Sequence, residues 1–463
     1  MTYEEAVRYL DSFVNYEHQR DAKAMQEIQL SRMRRLCQRL GDPQRRFRSV
    51  LVAGTNGKGS ICAMLYSMLR ESSLRVGLYT SPHVEHVRER IRVWTSGGST
   101  AQRLHADDWI EETEVVTLIQ QLQPVLEQMR QEHPSAAPTY FEVLTALAFV
   151  YFQRRQVEVA VLEVGLGGRL DATNVVEPAI SIIAPIDVDH SEILGTALAR
   201  IAKEKAGIIR SHQTLITASQ HPEVMEVLRA VCEAEGVPLV VYGQDLTAAI
   251  QHQDLDGLQV SLTGLRGIYE SVEIPLLGRH QAQNAALAVG ALEALSATGI
   301  PSSLVERGLA RVEWPGRQEI VHDAPLVLMD GAHNPRAAQA LRETLEELCP
   351  ERRIHLLVGM SADKAVEAFG ERFTGLVVGA TCTKSRHPRA LDPVTLAKRL
   401  SASCPDVHVI SDAADAYTYL LNALSANEVL VVTGSLFLVG ELRVALQQSH
   451  VHARRGRAQA VGS

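Results

Sequence analysis

Ser49-Val-Leu-Val-Ala-Gly-Thr-Asn-Gly-Lys-Gly-Ser60 reads as a short apolar strand running through a glycine-rich loop into a helix that begins at Ser60. Glycines let backbone N–H groups close around phosphate oxygens, and a helix N-terminus adds positive potential. Lys58 supplies a cation, and Ser60 can ligate Mg2+ or a phosphate. The spacing departs from G-x-x-x-x-G-K-[ST], because Val52 stands five positions before Gly57 and Gly59 separates Lys58 from Ser60. An accidental tight turn is the competing reading; lysine between strand and helix favours phosphate.

Outward from this stretch, apolar strand-like runs at Ser49–Ala53, Arg75–Tyr79, Val157–Val164 and Ile180–Ile186 alternate with amphipathic helical patterns. Alternation of this kind predicts βαβ units and a mostly parallel sheet. Tyr3–Phe13 and Met25–Leu40 have helical spacing and form a short preface. Gln281–Ser296 and Ser302–Ala310 are helices leading to the turn cluster Trp314-Pro-Gly, where the domain boundary is placed. A second alternating series follows, with strands at Leu326–Met329, Ile354–Val358, Leu376–Val378, Val407–Ile410 and Val429–Thr433, predicting a smaller α/β domain. Thr95–Asp108 is polar and aperiodic and reads as a surface loop.

The 463 residues suit two domains at roughly 100–200 residues each. A composition of 46% apolar and 22% charged residues is that of a globular protein and excludes disorder and collagen-like repeats. A net charge of −8 argues against a nucleic-acid-coating surface. Cys37, Cys62, Cys232, Cys349, Cys382 and Cys404 are scattered with no C-x-x-C pair, which favours buried thiols in a reducing compartment. No signal-peptide pattern and no membrane-length apolar run occurs, so a cytoplasmic protein without membrane partners is expected. The basic end, with Arg454, Arg455 and Arg457, reads as a flexible tail.

Further motifs carry chemistry of their own. In Leu162-Glu-Val-Gly-Leu-Gly-Gly, Glu163 ends an apolar strand before a glycine-rich loop, where an open parallel sheet presents its ligand crevice. Beside a phosphate loop it can hold Mg2+, which takes one or two carboxylates plus phosphates; alone it would read as a helix-capping carboxylate. Asp330 ends a strand and His333-Asn-Pro opens a helix, so both can face a ligand crevice, while Arg317 lies on the turn before them. An N-cap for Asp330 and a surface ion pair for Arg317 are the alternatives.

The loop Gly54–Ser60 takes the form found in the ATP-dependent amide ligases of the Mur ligase family. In order along the chain, Thr80-Ser-Pro-His83, Leu162–Asn174, Asp189-His190, Glu204-Lys-Ala-Gly207, His280-Gln281 with Asn284-Ala285, Trp314-Pro-Gly-Arg317, Asp330-Gly-Ala-His-Asn-Pro335 and Gly434–Glu441 resemble its folylpolyglutamate synthase and dihydrofolate synthase branch. The resemblance spans Gly54 to Glu441. It implies a P-loop, Mur-ligase-like α/β domain with a parallel sheet over 1–311, a Rossmann-like α/β domain binding glutamate over 312–449, and the tail 450–463. It implies that Gly54, Thr55, Asn56, Gly57, Lys58, Gly59, Ser60, Asn284, Arg317 and Asp330 hold ATP. Ser81, Glu163 and His190 are implied Mg2+ ligands, and Lys205, carbamylated, would support a second Mg2+. Lys58, Lys205, His333 and Asp330 are the implied catalytic groups, with Arg317, His333 and Ser435 around the incoming glutamate. The pterin acid is expected near Thr139, Tyr140, Phe141 and Glu142, and near Leu170, Asp171 and Ala172, where an aromatic ring and carboxylates could meet a flat heterocycle with N–H donors. Phe141 as simple helix core is the equal alternative.

The implied reaction activates a carboxylate by transfer of the γ-phosphoryl of ATP, and the amine of L-glutamate displaces phosphate. The loop begins early in the chain, with space before it for a helical preface alone, which favours the folate branch over the UDP-sugar branches. Dihydropteroate or tetrahydrofolate and L-glutamate are the expected substrates of a bifunctional monomer. A synthase that only extends folates, or a nucleotide switch without ligase activity, are the other readings.

Overall fold

In a computed structural model of the chain, the described residues are 1–18, 30–95, 107–132, 137–188, 195 and 197–446. The chain forms two compact units: Met1–His252 with Leu258–Pro275 and His280–Glu313, and Gln253–Gly257 with Leu276–Arg279 and the chain from Trp314 on.

The first unit is built on β1 (Arg48–Ala53), β2 (Val76–Tyr79), β3 (Ile91–Trp94), β4 (Val159–Glu163), β5 (Ile180–Ile183), β6 (Thr214–Thr217) and β7 (Leu239–Val241), in the order β3-β2-β4-β1-β5-β6-β7. All neighbours are parallel except β2 and β3. Continuous apolar runs such as Val50-Leu-Val-Ala53 belong to strands buried on both faces, and β1, β4 and β5 are central. The helix Lys58–Arg70, buried from Gly59 to Leu69, starts two residues earlier than its sequence suggests. Gly308 lets it approach the helix Ser302–Ala310, since a Cβ there would lie 2.4 Å from Met68 Cα. The expected helix Met25–Leu40 is Leu30–Arg39 within the described residues, with 25–29 outside them.

The structure corrects the sequence reading in several places, among them the expected strand Leu376–Val378, which runs on to Lys384. The expected strands Val157–Val164 and Ile180–Ile186 shorten to β4 and β5, the second ending ahead of Pro185. The stretch 247–274, with no strong pattern, forms a three-stranded antiparallel sheet of β8 (Thr247–Asp254), β9 (Gly257–Thr263) and β10 (Ile268–Ile274). Residues 96–106 of the expected surface loop lie outside the described residues, but its end, Asp108, is buried and accepts from the Tyr66 hydroxyl at 2.9 Å.

In the second unit β11 (Glu319–Asp323), β12 (Leu326–Met329), β13 (Ile354–Val358), β14 (Val377–Lys384), β15 (Val407–Asp412) and β16 (Val429–Thr433) run β11-β12-β16-β13-β14-β15, parallel except for β11. Leu341, Leu345, Phe369, Phe373 and Leu396 pack its core. The helix Pro335–Leu348 opens with Pro335 behind the N-cap Asn334, whose side chain accepts from Ala337 N.

All six cysteines are free and buried. Among the described residues no helix is long and apolar enough to cross a membrane. Residues 450–463 lie outside the described residues.

Candidate active site

The first unit gathers its motifs at the carboxyl ends of adjacent strands β2, β4 and β1, where a parallel sheet offers its crevice. The loop after β1 needs glycine twice, with φ +149° at Gly54 and +88° at Gly57. A Cβ on Gly54 would lie 2.6 Å from Ala184 Cβ, and one on Gly57 2.7 Å from Asn284 Oδ1. These close approaches are those of a backbone cradle against helix His280–Leu295, where Asn284 Nδ2 also donates to Gln281 Oε1 at 2.9 Å. The Thr55 amide donates to Pro185 O and its hydroxyl to Asp187 O at 3.0 Å, so Thr55 anchors the loop from behind. Lys58 Nζ donates back to Gly54 O at 3.2 Å and Thr55 O at 3.3 Å. Asn56 lies in the turn before the helix, and Gly59 and the buried Ser60 lie in its first turn.

Glu163 ends β4, and its Oε2 accepts the Ser81 amide at 3.0 Å, which brings two of the expected Mg2+ ligands together. A carboxylate and a hydroxyl are hard oxygen donors of the kind Mg2+ takes beside phosphates, so this pair fits the ion. His190 and Asp189 lie outside the described residues. Among those residues, no group of three or more His, Cys, Asp or Glu side chains could hold a metal.

Lys205 reaches the same place from helix Leu198–Ala206. It is buried, and its Nζ donates to Gly54 O at 2.7 Å. The loop after β4 docks that helix: a Cβ on Gly168 would lie 2.8 Å from Glu204 O, and one on Gly207 2.4 Å from Arg169 Cβ. Arg169 pairs with Glu204 at 3.0 Å, and Asn174 Nδ2 donates to Arg169 O and Gly207 O. Asp171 stiffens the loop, accepting from Leu166 N at 2.9 Å and from Thr173 N and Oγ1 at 3.0 and 2.5 Å. Burial pushes its carboxyl above the ordinary aspartate value against those hydrogen bonds. Leu170 is half-buried and Ala172 buried beside it.

The expected pterin segment has a strong local role. Thr139 and Glu142 form a capping box at the start of helix Tyr140–Arg154, and Glu142 also pairs with Arg32 at 2.8 Å. Phe141 lies over Gly165, where a Cβ would meet its ring at 2.7 Å, and its centroid is 5.9 Å from that of Tyr79. Tyr140 is buried under the Arg90 guanidinium, 5.8 Å from the ring centroid. Buried Arg90 and half-buried Glu17 and His83 form a network that sequence reasoning missed, because an arginine in an unpatterned turn carries no signal.

In the second unit Asp330, Arg317, His333 and Ser435 come together after β12 and β16. Buried Asp330 accepts from Gln318 N at 2.9 Å and Ala332 N at 2.8 Å, and burial raises its carboxyl pKa while Arg317 opposes the shift. His333 Nδ1 lies 2.9 Å from Gly331 O, and Arg317 Nη1 donates to Gly316 O at 3.1 Å. A Cβ on Gly331 would lie 2.9 Å from that nitrogen. Gly434, at φ +95°, donates its amide to Ala332 O at 2.9 Å and holds buried Ser435 beside this turn.

Residues 94–292 match the Mur ligase middle domain, and residues 316–436 the Mur ligase glutamate ligase domain. The chain is 34% identical to the dihydrofolate synthase/folylpolyglutamate synthase of Bacillus subtilis, over 90% of this chain and 95% of that one. The Mycobacterium tuberculosis counterpart is 35% identical over 93% of both. Among solved structures, the M. tuberculosis folylpolyglutamate synthase complexed with ADP superposes with a TM-score of 0.86 at 31% identity, over 96% of this chain and 98% of that one. E. coli FolC in complex with DHPP and ADP gives 0.81 at 28% identity, over 97% and 99%. With strand-end motifs of the expected kind in both units and relatives matched over nearly their whole length, the chain belongs to the folylpolyglutamate synthase/dihydrofolate synthase branch of the Mur ligase family, a family of ATP-dependent ligases.

Proposed function

We propose that the chain joins L-glutamate to dihydropteroate and also extends tetrahydrofolate with glutamate, acting in the cytoplasm as a monomer. The observation that carries this reading is the convergence of Lys58, Lys205, Ser81 and Glu163 on the strand ends around Gly54. Three relatives named for both activities support bifunctionality: those of B. subtilis, M. tuberculosis and E. coli. Buried free thiols suit a reducing compartment.

The ATP-binding domain is 1–311 and the glutamate domain 312–449. Gly54–Ser60 cradles the phosphates through backbone amides, with Asn284 closing one side. Lys58 swings from the loop carbonyls to the transferring phosphoryl group, whose charge it neutralises. Ser81 and Glu163, with His190, would hold Mg2+, which when bound offsets phosphate charge. Lys205, if carbamylated, would offer a carboxylate able to hold a second such ion, and its nitrogen would keep one N–H for Gly54 O.

The acid lies along Phe141 and the loop 170–172. Its carboxylate takes the γ-phosphoryl group and becomes an acyl phosphate, so phosphate rather than oxide leaves when the glutamate amine attacks. Arg317, Asp330, His333 and Ser435 serve the nucleotide and the incoming amino acid.

ADP release measured with ATP and Mg2+, with and without L-glutamate, on dihydropteroate and separately on tetrahydrofolate tests this. Turnover that needs glutamate and proceeds with both acids is expected. Turnover with tetrahydrofolate alone would make the chain an extending synthase, and turnover indifferent to acid and glutamate would make it a nucleotide switch.

A further inference from the structure

His83 closes the Thr80-Ser-Pro-His motif, two residues beyond Ser81. Arg90 is 1% exposed and has all three guanidinium nitrogens engaged: Nε donates to His83 Nδ1 at 2.9 Å, and Nη1 and Nη2 donate to Glu17 Oε1 and Oε2 at 2.8 and 2.6 Å. A guanidinium has donors and no acceptor, so His83 Nδ1 must accept. The ring is therefore the neutral tautomer with its proton on Nε2, and that N–H makes no hydrogen bond among the described residues. His83 is only half-buried, so the N–H is not sealed into the core.

The ring is tied to both parts of the candidate site. On one side is Ser81, whose amide sits on Glu163. On the other, Arg90 lies over Tyr140, whose neighbour Phe141 covers Gly165 of the glycine-rich loop. Glu17, from the preface, fixes Arg90 and hence the ring. A buried arginine holding one imidazole tautomer is an expensive arrangement for a ring with nothing to donate to.

We propose that His83 is a substrate-contacting residue whose Nε2–H donates to the carboxylate of the acid that is to be activated. The inference rests on the ligase reading. One carboxylate oxygen must stay free to attack phosphorus, and a fixed neutral donor on the other orients the group and lowers its freedom before phosphoryl transfer. His83 forms no covalent bond and moves no proton.

Two substitutions separate this role from a purely structural one. In His83→Asn the amide oxygen stands near the Nδ1 position and still accepts from Arg90, but the remote N–H is gone. In His83→Gln the longer side chain returns an N–H near the Nε2 position and leaves Arg90 Nε without its acceptor. The expected result is a tenfold or greater fall in kcat/KM for dihydropteroate and tetrahydrofolate in His83→Asn, with KM for ATP within twofold, and recovery of most of that loss in His83→Gln. Wild-type rates in His83→Asn, or equal losses in both variants, would overturn the proposal. In the wild-type protein, nitrogen-detected histidine NMR should show the Nε2–H tautomer and a shift of that N–H on adding dihydropteroate without ATP; an unmoved signal at saturating acid also overturns it. Failure of the wild-type protein to turn over either acid would remove the ligase reading itself, a result separable from both.

Discussion

The ammonium of Lys205 donates to the carbonyl of Gly54 across 2.7 Å, tying a helix to the first residue of the phosphate loop 151 positions earlier in the chain. An amine buried at a nucleotide loop is poorly suited to sit beside two divalent cations, whereas its carbamate would be attracted to them. Lys205→Ala should therefore lower turnover by on the order of a hundredfold or more, the size of loss seen when one preorganised electrostatic group is removed. Acetate at high concentration should restore part of it, because it can occupy the space with a carboxylate. Assays of ADP release across an acetate series check this, and an unimpaired alanine variant sinks the role.

Gly57 is held at φ +88° with the Asn284 oxygen 2.7 Å from where a Cβ would stand. Gly57→Ala meets both the left-handed backbone penalty of about 1–2 kcal/mol and that collision. Either the loop moves or the Asn284 amide turns away and gives up its hydrogen bond to Gln281, and both change the cradle. Calorimetric titration should show ATP affinity reduced by about tenfold or more, each tenfold being roughly 1.4 kcal/mol. Unchanged ATP affinity would show that the cradle is elsewhere.

The alternating apolar runs revealed both parallel sheets, because strands buried on two faces need uninterrupted Val, Ile and Leu. Val429–Thr433 and Leu326–Met329 match their strands residue for residue. The antiparallel β8 has a half-exposed pattern broken by Gln251, His252 and Gln253, so its period-2 signal is weak. At the candidate site, the positions of Gly54–Ser60, Glu163 and Asp330 at the ends of strands could be read because strand–loop–helix junctions have a fixed pattern. Thr139 and Glu142 have the S/T-x-x-E spacing of a capping box, a local role that the sequence shows as plainly and that was not read from it. Arg90, Glu17 and His83 meet only through tertiary packing, across 73 positions for the Arg90–Glu17 pair, and no local pattern announces that.

Glu163→Gln separates charge from hydrogen bonding. The amide oxygen still accepts from Ser81 N, so the turn is kept and the thermal midpoint should move by no more than about 2–4 °C, which corresponds to roughly 1 kcal/mol in a domain of this size. What is lost is the negative charge for Mg2+. Saturation with Mg2+ should then need about tenfold or more of the ion, the lower end of what even an outer partner of a metal site costs. Turnover measured across a Mg2+ titration decides it: an unshifted curve would remove Glu163 from the metal site.

Asp171 tests whether the glycine-rich loop is held by an ionised carboxylate. Burial raises its pKa above the ordinary aspartate value, so the folded state binds this proton more tightly than the unfolded chain does. The stability tied to that titration is complete below the ordinary aspartate value and is lost as pH rises through the raised one. Asp171→Asn has no such titration, and it sets an amide NH2 against one of three N–H or O–H donors, a mismatch costing about 1–3 kcal/mol. Urea unfolding should therefore show the variant less stable than wild type throughout, with a gap wider near about pH 4.5 than at about pH 7, since only the wild type regains stability on acidification at this site. A gap that widens toward neutral pH instead would mean that hydrogen bonding to the carboxylate outweighs its burial, and that the loop is clamped by a fully ionised Asp171.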